Sequence, residues 1–283
     1  MRKDPKSGRD EASMQTEILQ EKVSVIMPTY NSGRYIAEAV SSVLSQSYEN
    51  WELLIADDRS SDDTCKILAP FLEDPRIRYH CLAQKGGVAA ARNWALAHAE
   101  GEYVAFLDSD DLWTPDKLEK QLRFMKEHPS GRCRFSCTGY ARMDAEGKCL
   151  GTAILPPRKA NYWKMFRLGN CVGNSTAIYD RRFFCDVRVP LIPRRNDYAL
   201  WLQLLRGGEL VYGMEDVTMY YRVHQGSVSY KKWTGIPSIW KLYRNVEGMN
   251  PLLSAYGVLA WAFVKGTGIG QRIRRSERES RWT

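Results

Sequence analysis

The chain is 283 residues long, 44% hydrophobic and 26% charged, with a formal net charge of +8. This composition suits a packed globular body and excludes a disordered chain, and the length fits one large domain with or without an appendage. The first 222 residues carry 31 basic and 30 acidic groups, whereas the last 61 carry 10 and 3, so the charge belongs to the tail and no nucleic-acid partner is implied.

Residues 1–21 are a polar lead without the apolar run that a secretory leader needs, so no export is expected. From there strand and helix alternate. Val23-Ser24-Val25-Ile26-Met27 is a buried-strand run stopping at Pro28, and 35–44 places Ile36, Val40, Val43 and Leu44 on one helical face. A strand over 51–56 ends in Asp57-Asp58; a helix over 62–72, a strand over 77–81 and an Ala-rich helix over 88–99 follow, and a strand over 103–107 runs into Asp108-Ser109-Asp110-Asp111. Alternation of this kind predicts a mostly parallel sheet, which binds ligands beyond the carboxyl ends of its strands. Asp57, Asp58, Asp108 and Asp110 are therefore expected to line one crevice. From about Arg134 the pieces look antiparallel: 135–143, a turn at 144–147, a strand over 175–179, a helix over 197–206, and strands over 209–213 and 217–222. Residues 236–265 return to helical periodicity, and 265–283 reads as a basic, frayed end. Seven cysteines, an odd number without a CxxC spacing, suit reduced thiols in a cytoplasmic protein.

Two carboxylates held in a tight turn at a strand end can present oxygens to a hard cation such as Mg²⁺ or Mn²⁺; the same residues also suit a solvated turn with an aspartate helix cap. Pro28-Thr29-Tyr30-Asn31 places backbone and small polar groups at the first strand end, where a base or ribose could be recognised, or where an ordinary turn could lie. An ionised Asp58 can accept from the N3–H of uracil or from a ribose hydroxyl. Lys85-Gly86-Gly87 before a helix offers a cation and a flexible backbone to a diphosphate.

Taken in order, Pro28-Thr29-Tyr30-Asn31, Asp57-Asp58, Gly87 with Ala91-Arg92-Asn93, Gly101-Glu102-Tyr103 and Asp108-Ser109-Asp110-Asp111 resemble the family 2 glycosyltransferases of the GT-A fold over about residues 22–225. Gly173-Asn174-Ser175-Thr176 and Arg195-Asn196-Asp197 with Trp201 resemble a bacterial subgroup that builds exopolysaccharide and teichuronic acid. The resemblance implies an α/β fold with a Rossmann-like, mostly parallel central sheet flanked by helices, a nucleotide-sugar half over 22–112, an antiparallel acceptor half over 113–230 and a helical basic extension over 231–283. It implies a nucleotide site made by Pro28, Thr29, Tyr30, Asn31, Asp57, Asp58, Lys85, Gly87, Arg92, Asp108 and Ser109, with Asp58 on the uracil. The metal, Mg²⁺ or Mn²⁺, falls to Asp110 with Asp108 and His224. Asp197 falls in the place of the catalytic base, and Asn174, Ser175, Asn196 and Trp201 on the acceptor side. Where the family has a Glu-Asp pair this chain has Asn196-Asp197, so one carboxylate is missing.

The activity implied is inverting transfer from a UDP-sugar to a saccharide hydroxyl, the acceptor being polyprenyl-diphosphate-linked. A sugar nucleotidyltransferase needs a Gly-rich basic loop where Pro28-Thr29-Tyr30-Asn31 stands, and a dinucleotide oxidoreductase needs a GxGxxG that is absent after the first strand. A degenerate sugar-nucleotide-binding module stays open because of the missing glutamate. The run over 252–264 spans 13 residues, short of the ~20 that cross a bilayer. Its stripe of Leu252, Leu253, Tyr256, Leu259, Ala260 and Phe263, with Trp233, Trp240, Trp261 and Trp282 among basic groups, suits either a helix packed on the domain or one lying on an anionic membrane. The latter would hold the protein peripherally on the inner face of the plasma membrane.

Overall fold

A computed structural model describes residues 20–224 and 235–267, and the backbone of 272–275; the polar lead through residue 19, Trp233 and Trp282 lie outside them. Strands β1 (Val23–Thr29), β2 (Trp51–Asp57), β3 (Ile77–Cys81) and β4 (Tyr103–Phe106) form the parallel part of one sheet, with β1 between β2 and β4. Between them run α1 (Ile36–Leu44), α2 (Thr64–Leu68) and α3 (Gly87–Ala97). Short β5 (Leu112–Trp113) and α4 (Lys117–Glu127) lead to β6 (Phe135–Met143), β7 (Cys149–Leu155) and β8 (Lys159–Ala160). Next come α5 (Tyr162–Leu168), a 3₁₀ turn at Asn174–Thr176, β9 (Ile178–Asp180), α6 (Asn196–Leu205) and β10 (Val211–Arg222). The chain closes with α7 (Gly235–Lys241), a π turn at Leu242–Val246, α8 (Pro251–Thr267) and β11 (Arg272–Arg275).

Alternation along the central strands divides the core in two, as side chains on a strand point to opposite faces in turn. Val23, Val25, Met27, Leu53, Ile55 and Ala105 face one cluster with Ile36, Val40 and Val43 of α1 and Leu118 and Leu122 of α4. Ile26, Leu54, Val104 and Phe106 face the other, with Ala91 and Ala95 of α3, most of α6, and Ile239, Leu242, Tyr243 and Trp261 from the C-terminal helices. The C-terminal helices are thus built into the main core. The sheet continues past β4 through β9, antiparallel to both β4 and β6, then β7 and β11, while β10 runs parallel to β6.

Several elements differ from the sequence expectation. The helix over 62–72 is α2 followed by a 3₁₀ segment at Ala69–Glu73 containing Pro70, which has no amide to continue the α ladder. The expected strand over 175–179 is split into the 3₁₀ turn and β9, and the two strands over 209–222 are one strand with shifts of register between Gly213 and Met219. The basic end is tied at β11, antiparallel to β7. No helix among the described residues is long and apolar enough to cross a membrane, and the seven cysteines are free thiols.

Candidate active site

Strand order brings the ends of β1, β2 and β4 side by side, since Thr29 is registered against Asp57, and Leu107 donates its amide to the Ile26 carbonyl. Asp58 is 4% exposed and accepts from the Gly86 and Gly87 amides at 2.6 and 2.9 Å. Gly87 opens α3 at φ +78°, a conformation that glycine adopts without a Cβ penalty. The two Asp58 oxygens keep further lone pairs for a ligand donor. Asp57 accepts from the Ser60 amide and hydroxyl, both at 2.8 Å, and from the Tyr79 hydroxyl at 2.7 Å, bracing the loop after β2. Asn31, at φ 49°, accepts from the Ser61 amide at 2.8 Å and so ties the two loops together. Pro28 is buried in β1 and Thr29 is 3% exposed, with a hydroxyl oxygen that has no protein partner; a buried polar atom of this kind is normally satisfied by something. The exposed Tyr30 ring carries the Lys85 Nζ at 3.8 Å from its centroid, an aromatic face with a cation at the rim.

The turn after β4 closes through the Asp111 amide donating to the Asp108 carbonyl at 3.0 Å. Asp108 accepts from Arg92 Nη2 at 2.6 Å and Asn174 Nδ2 at 2.9 Å. Asp111 accepts from the Ser175 hydroxyl at 2.6 Å, and the Asp108 amide donates to that hydroxyl oxygen at 3.0 Å. Ser109 shares a 2.8 Å bond with Ser32. Asp110 Oδ2 lies 2.9 Å from His224 Nε2. Arg222, 1% exposed, locks this corner: it donates to the Asp110 carbonyl at 2.9 Å, to Glu38 of α1 at 2.7 Å and to the Ala145 carbonyl of the β6–β7 turn at 3.1 Å. Burial, then the charge of Asp108, pushes the Asp110 carboxyl up, with His224 pulling it back. Burial and its two aspartate neighbours push Asp111 well up. Asp108 is met by Arg92, whereas Asp110 is raised by burial and by Asp108 with His224 as its side-chain partner, which fits a divalent cation. Among the described residues no three His, Cys, Asp or Glu side chains form a closed cage, but Asp110 with His224 supplies a carboxylate and an imidazole, and Mg²⁺ takes only one or two protein carboxylates beside water and phosphate oxygens.

Asp197 is the second residue of α6, which begins after Arg195 in a left-handed conformation, φ 61° and ψ 25°. Its Oδ2 accepts from Asn170 Nδ2 at 2.8 Å. Desolvation raises its carboxyl above the ordinary range, opposed chiefly by the Arg92 guanidinium. Arg92 also donates to Asn196 Oδ1 at 2.5 Å, so one buried side chain on α3 joins Asp108 at the end of β4 to the start of α6. The position that lacks the expected glutamate is thus engaged, its amide oxygen serving as acceptor.

Two acceptor-side expectations are corrected. Trp201 is fully buried, its ring 5.3 Å from Phe106 and 5.2 Å from Phe135; four residues beyond Asp197, it points into the core and offers an acceptor no surface. Ser175 is also fully buried and serves Asp108 and Asp111 instead. Asn174 reaches Asp108 but leaves its own Oδ1 buried and unpartnered. Arg222 and Asn170 were not found from sequence, the first an arginine in a strand, the second in a loop without a motif. A cavity of about 740 Å³ lined by Glu100, Glu102, Arg182 and Arg188 lies toward the start of β4, away from these groups.

The parallel part of the sheet thus ends in polar groups, with a carboxylate turn after β4 and a further carboxylate opening α6, the arrangement that the resemblance to the GT-A glycosyltransferases implies. The profile of glycosyl transferase family 2 matches residues 24–179. The chain is 41% identical over 244 residues, 86% of its length and 93% of the other's, to the Bacillus subtilis protein named teichuronic acid biosynthesis glycosyltransferase TuaG. It is 34% identical over 245 residues, 86% of its length and 92% of the other's, to Escherichia coli WfgD, named a UDP-Glc:α-D-GlcNAc-diphosphoundecaprenol β-1,3-glucosyltransferase. In fold it is similar to Staphylococcus aureus TarS 1–349 solved with UDP, at TM-score 0.63 and 20% identity over 87% of this chain and 72% of that one. It is likewise similar to the Pyrobaculum calidifontis mannosyltransferase PcManGT solved with GDP-Man and Mn²⁺, at TM-score 0.62 and 19% identity over 88% and 76%. The chain belongs to glycosyl transferase family 2.

Proposed function

We propose that the protein transfers a sugar from a UDP-sugar, with inversion at C1, to a hydroxyl of a polyprenyl-diphosphate-linked saccharide in cell-surface polysaccharide synthesis. The observation that carries this reading is the Arg92 bridge, which holds the Asp108 turn and the Asn196-Asp197 helix start across one cleft. Asp58, Thr29 and Tyr30 suit the uracil end of the donor. Asp197, ionised, takes the proton of the acceptor hydroxyl as that oxygen bonds to C1 and the bond from C1 to the diphosphate oxygen breaks. A positioned base of this kind contributes about 10²- to 10⁴-fold, and the rest comes from orientation. Mg²⁺ or Mn²⁺ held by Asp110 with His224 would supply neutralising charge to the departing diphosphate. The E. coli relative WfgD, named for a UDP-Glc donor and a diphosphoundecaprenol-linked acceptor, supports the donor and acceptor classes.

An acceptor of that kind lies at a membrane, and the outer face of α8 suits one. Leu252, Tyr256, Leu259 and Phe263 are 85, 51, 70 and 61% exposed and recur at helical spacing, with Trp240 and Ile236 of α7 also exposed. Each such side chain gains roughly 1.5–3 kcal/mol on leaving water, and the basic end adds attraction to anionic lipid. The protein then works peripherally on the inner face of the plasma membrane. Trp261, one of the tryptophans noted among the basic groups, is 9% exposed and faces the core.

The test is Asp197→Asn assayed with a panel of UDP-sugars and undecaprenyl-diphosphate-linked GlcNAc, beside UDP binding by calorimetry. Transfer is expected to vanish while UDP affinity stays within a few-fold; parallel loss of both would refute the assignment. Flotation with anionic vesicles tests the membrane face. Leu259→Ser with Phe263→Ser should release the protein, and unchanged flotation refutes that role.

A further inference from the structure

We infer that α8 is part of the catalytic apparatus, with Trp261 and Arg195 as positioning residues for Asp197; this rests on Asp197 being the base. Two chain segments meet at that carboxylate: residues 169–170, which bring the Asn170 amide to it, and residues 195–197, which carry it. Trp261 touches the first residue of each. A Cβ on Gly169 would stand 2.7 Å from Trp261 Cδ1, and the Arg195 guanidinium lies 4.9 Å from the indole centroid. Gly169 sits at φ +80°, so neither the space nor the backbone there admits a side chain readily.

Arg195 is itself held in a left-handed conformation unusual for a residue with a Cβ, and such conformations persist only where neighbours impose them. The neighbours are the Ser238 hydroxyl of α7, which accepts from Arg195 Nε at 2.8 Å, and the Trp261 face. Gly235 closes the packing, since a Cβ there would stand 2.5 Å from Trp261 Cη2 and 3.2 Å from Arg195 Nη2. One turn earlier on α8, Gly257 lets the helix approach α5 so closely that a Cβ would stand 2.5 Å from the Phe166 ring. The seating at Gly257 fixes where Trp261 falls, and Trp261 fixes the residues on both sides of Asp197.

The experiment compares Trp261→Ala, Trp261→Phe and Asp197→Asn in the full chain. Turnover is read as UDP release from UDP-glucose with undecaprenyl-diphosphate-linked GlcNAc, donor-site integrity as UDP binding with Mn²⁺. Displacing a reacting group by an ångström can cost about 10²-fold. Trp261→Ala is therefore expected to lower kcat roughly 10- to 100-fold with UDP affinity unchanged, and Trp261→Phe, which keeps an aromatic wall, to recover most of the rate. A Trp261→Ala protein with wild-type kcat beside a dead Asp197→Asn overturns the positioning role alone. So does loss of UDP binding in step with kcat. Full transfer by Asp197→Asn overturns the base assignment itself.

Discussion

Replacing Arg92 by alanine should expose how the two halves of the cleft are joined. The guanidinium is 6% exposed and the Asp108 carboxylate 31%. Removing one partner of a buried ion pair costs roughly 3–5 kcal/mol, and water reaching the partly open Asp108 reduces this to about 2–3 kcal/mol. Loss of the bond to Asn196 adds about 1 kcal/mol. For a chain of this size each kcal/mol is worth roughly 2–4 °C, so melting should fall by about 6–16 °C. The loss should be largest in EDTA. With Mn²⁺ present part of it should return, because a cation compensates the Asp108–Asp111 carboxylates in place of the arginine. Arg92→Lys keeps the charge but loses the planar fork whose two nitrogens reach Asn196 and Asp108 separately, and should fall between. Differential scanning fluorimetry with and without Mn²⁺ measures all three. An Arg92→Ala protein that melts within ~2 °C of the parent in EDTA would refute the bridge as a stabilising link.

Because desolvation raises Asp197 and the base must be ionised, the rate should fall as pH drops through a value above the ordinary aspartate range; a kcat profile flat down to pH 4 would contradict it. Asp110→Asn should weaken Mn²⁺ binding at least tenfold by calorimetry while UDP alone binds as before, and equal Mn²⁺ affinity would remove Asp110 from the metal. Trp201→Ala should cost about 3–5 kcal/mol as a core cavity with the acceptor KM unchanged below the melting range, whereas a raised KM at full stability would return Trp201 to the acceptor site. Lys117, fully buried with its Nζ bonded to Gln121 at 2.7 Å, is held down to about 7 by desolvation. The unfolded chain then binds the extra proton above that value, so stability should rise with pH between about 7 and 9 by up to ~1.4 kcal/mol per unit, and Lys117→Met should flatten that slope in urea titrations.

The parallel half was readable because its signals are local. Apolar runs of strand length end in Pro28, Asp57 and Asp108, and the helices between show one apolar face each. The second half was harder, since pairing partners there are far apart in sequence. The apolar pattern of β7 is broken by Gly151, and β11 is three arginines around one isoleucine, which composition alone assigns to a solvated tail. Asp197 was singled out through its motif, but Asn170 was not, because nothing in a lone loop asparagine says which carboxylate it will meet. Trp201 misled for a related reason: an aromatic near a sugar site suggests stacking, and only the packing of α6 on Phe106 and Phe135 shows that its face turns inward.

The pairing of β11 with β7 also bears on how this protein can be handled. Removing the basic end would leave the backbone groups of Thr152–Leu155, partners of Arg272–Arg275, without their strand, beside the exposed Leu150. An uncovered sheet edge templates pairing with other chains. A truncated protein could then pellet through self-association, and sedimentation would mimic membrane attachment in the very sample made to abolish it. Point changes on the outer face of α8 leave that edge covered, so in them a pellet and a floating fraction carry different meanings.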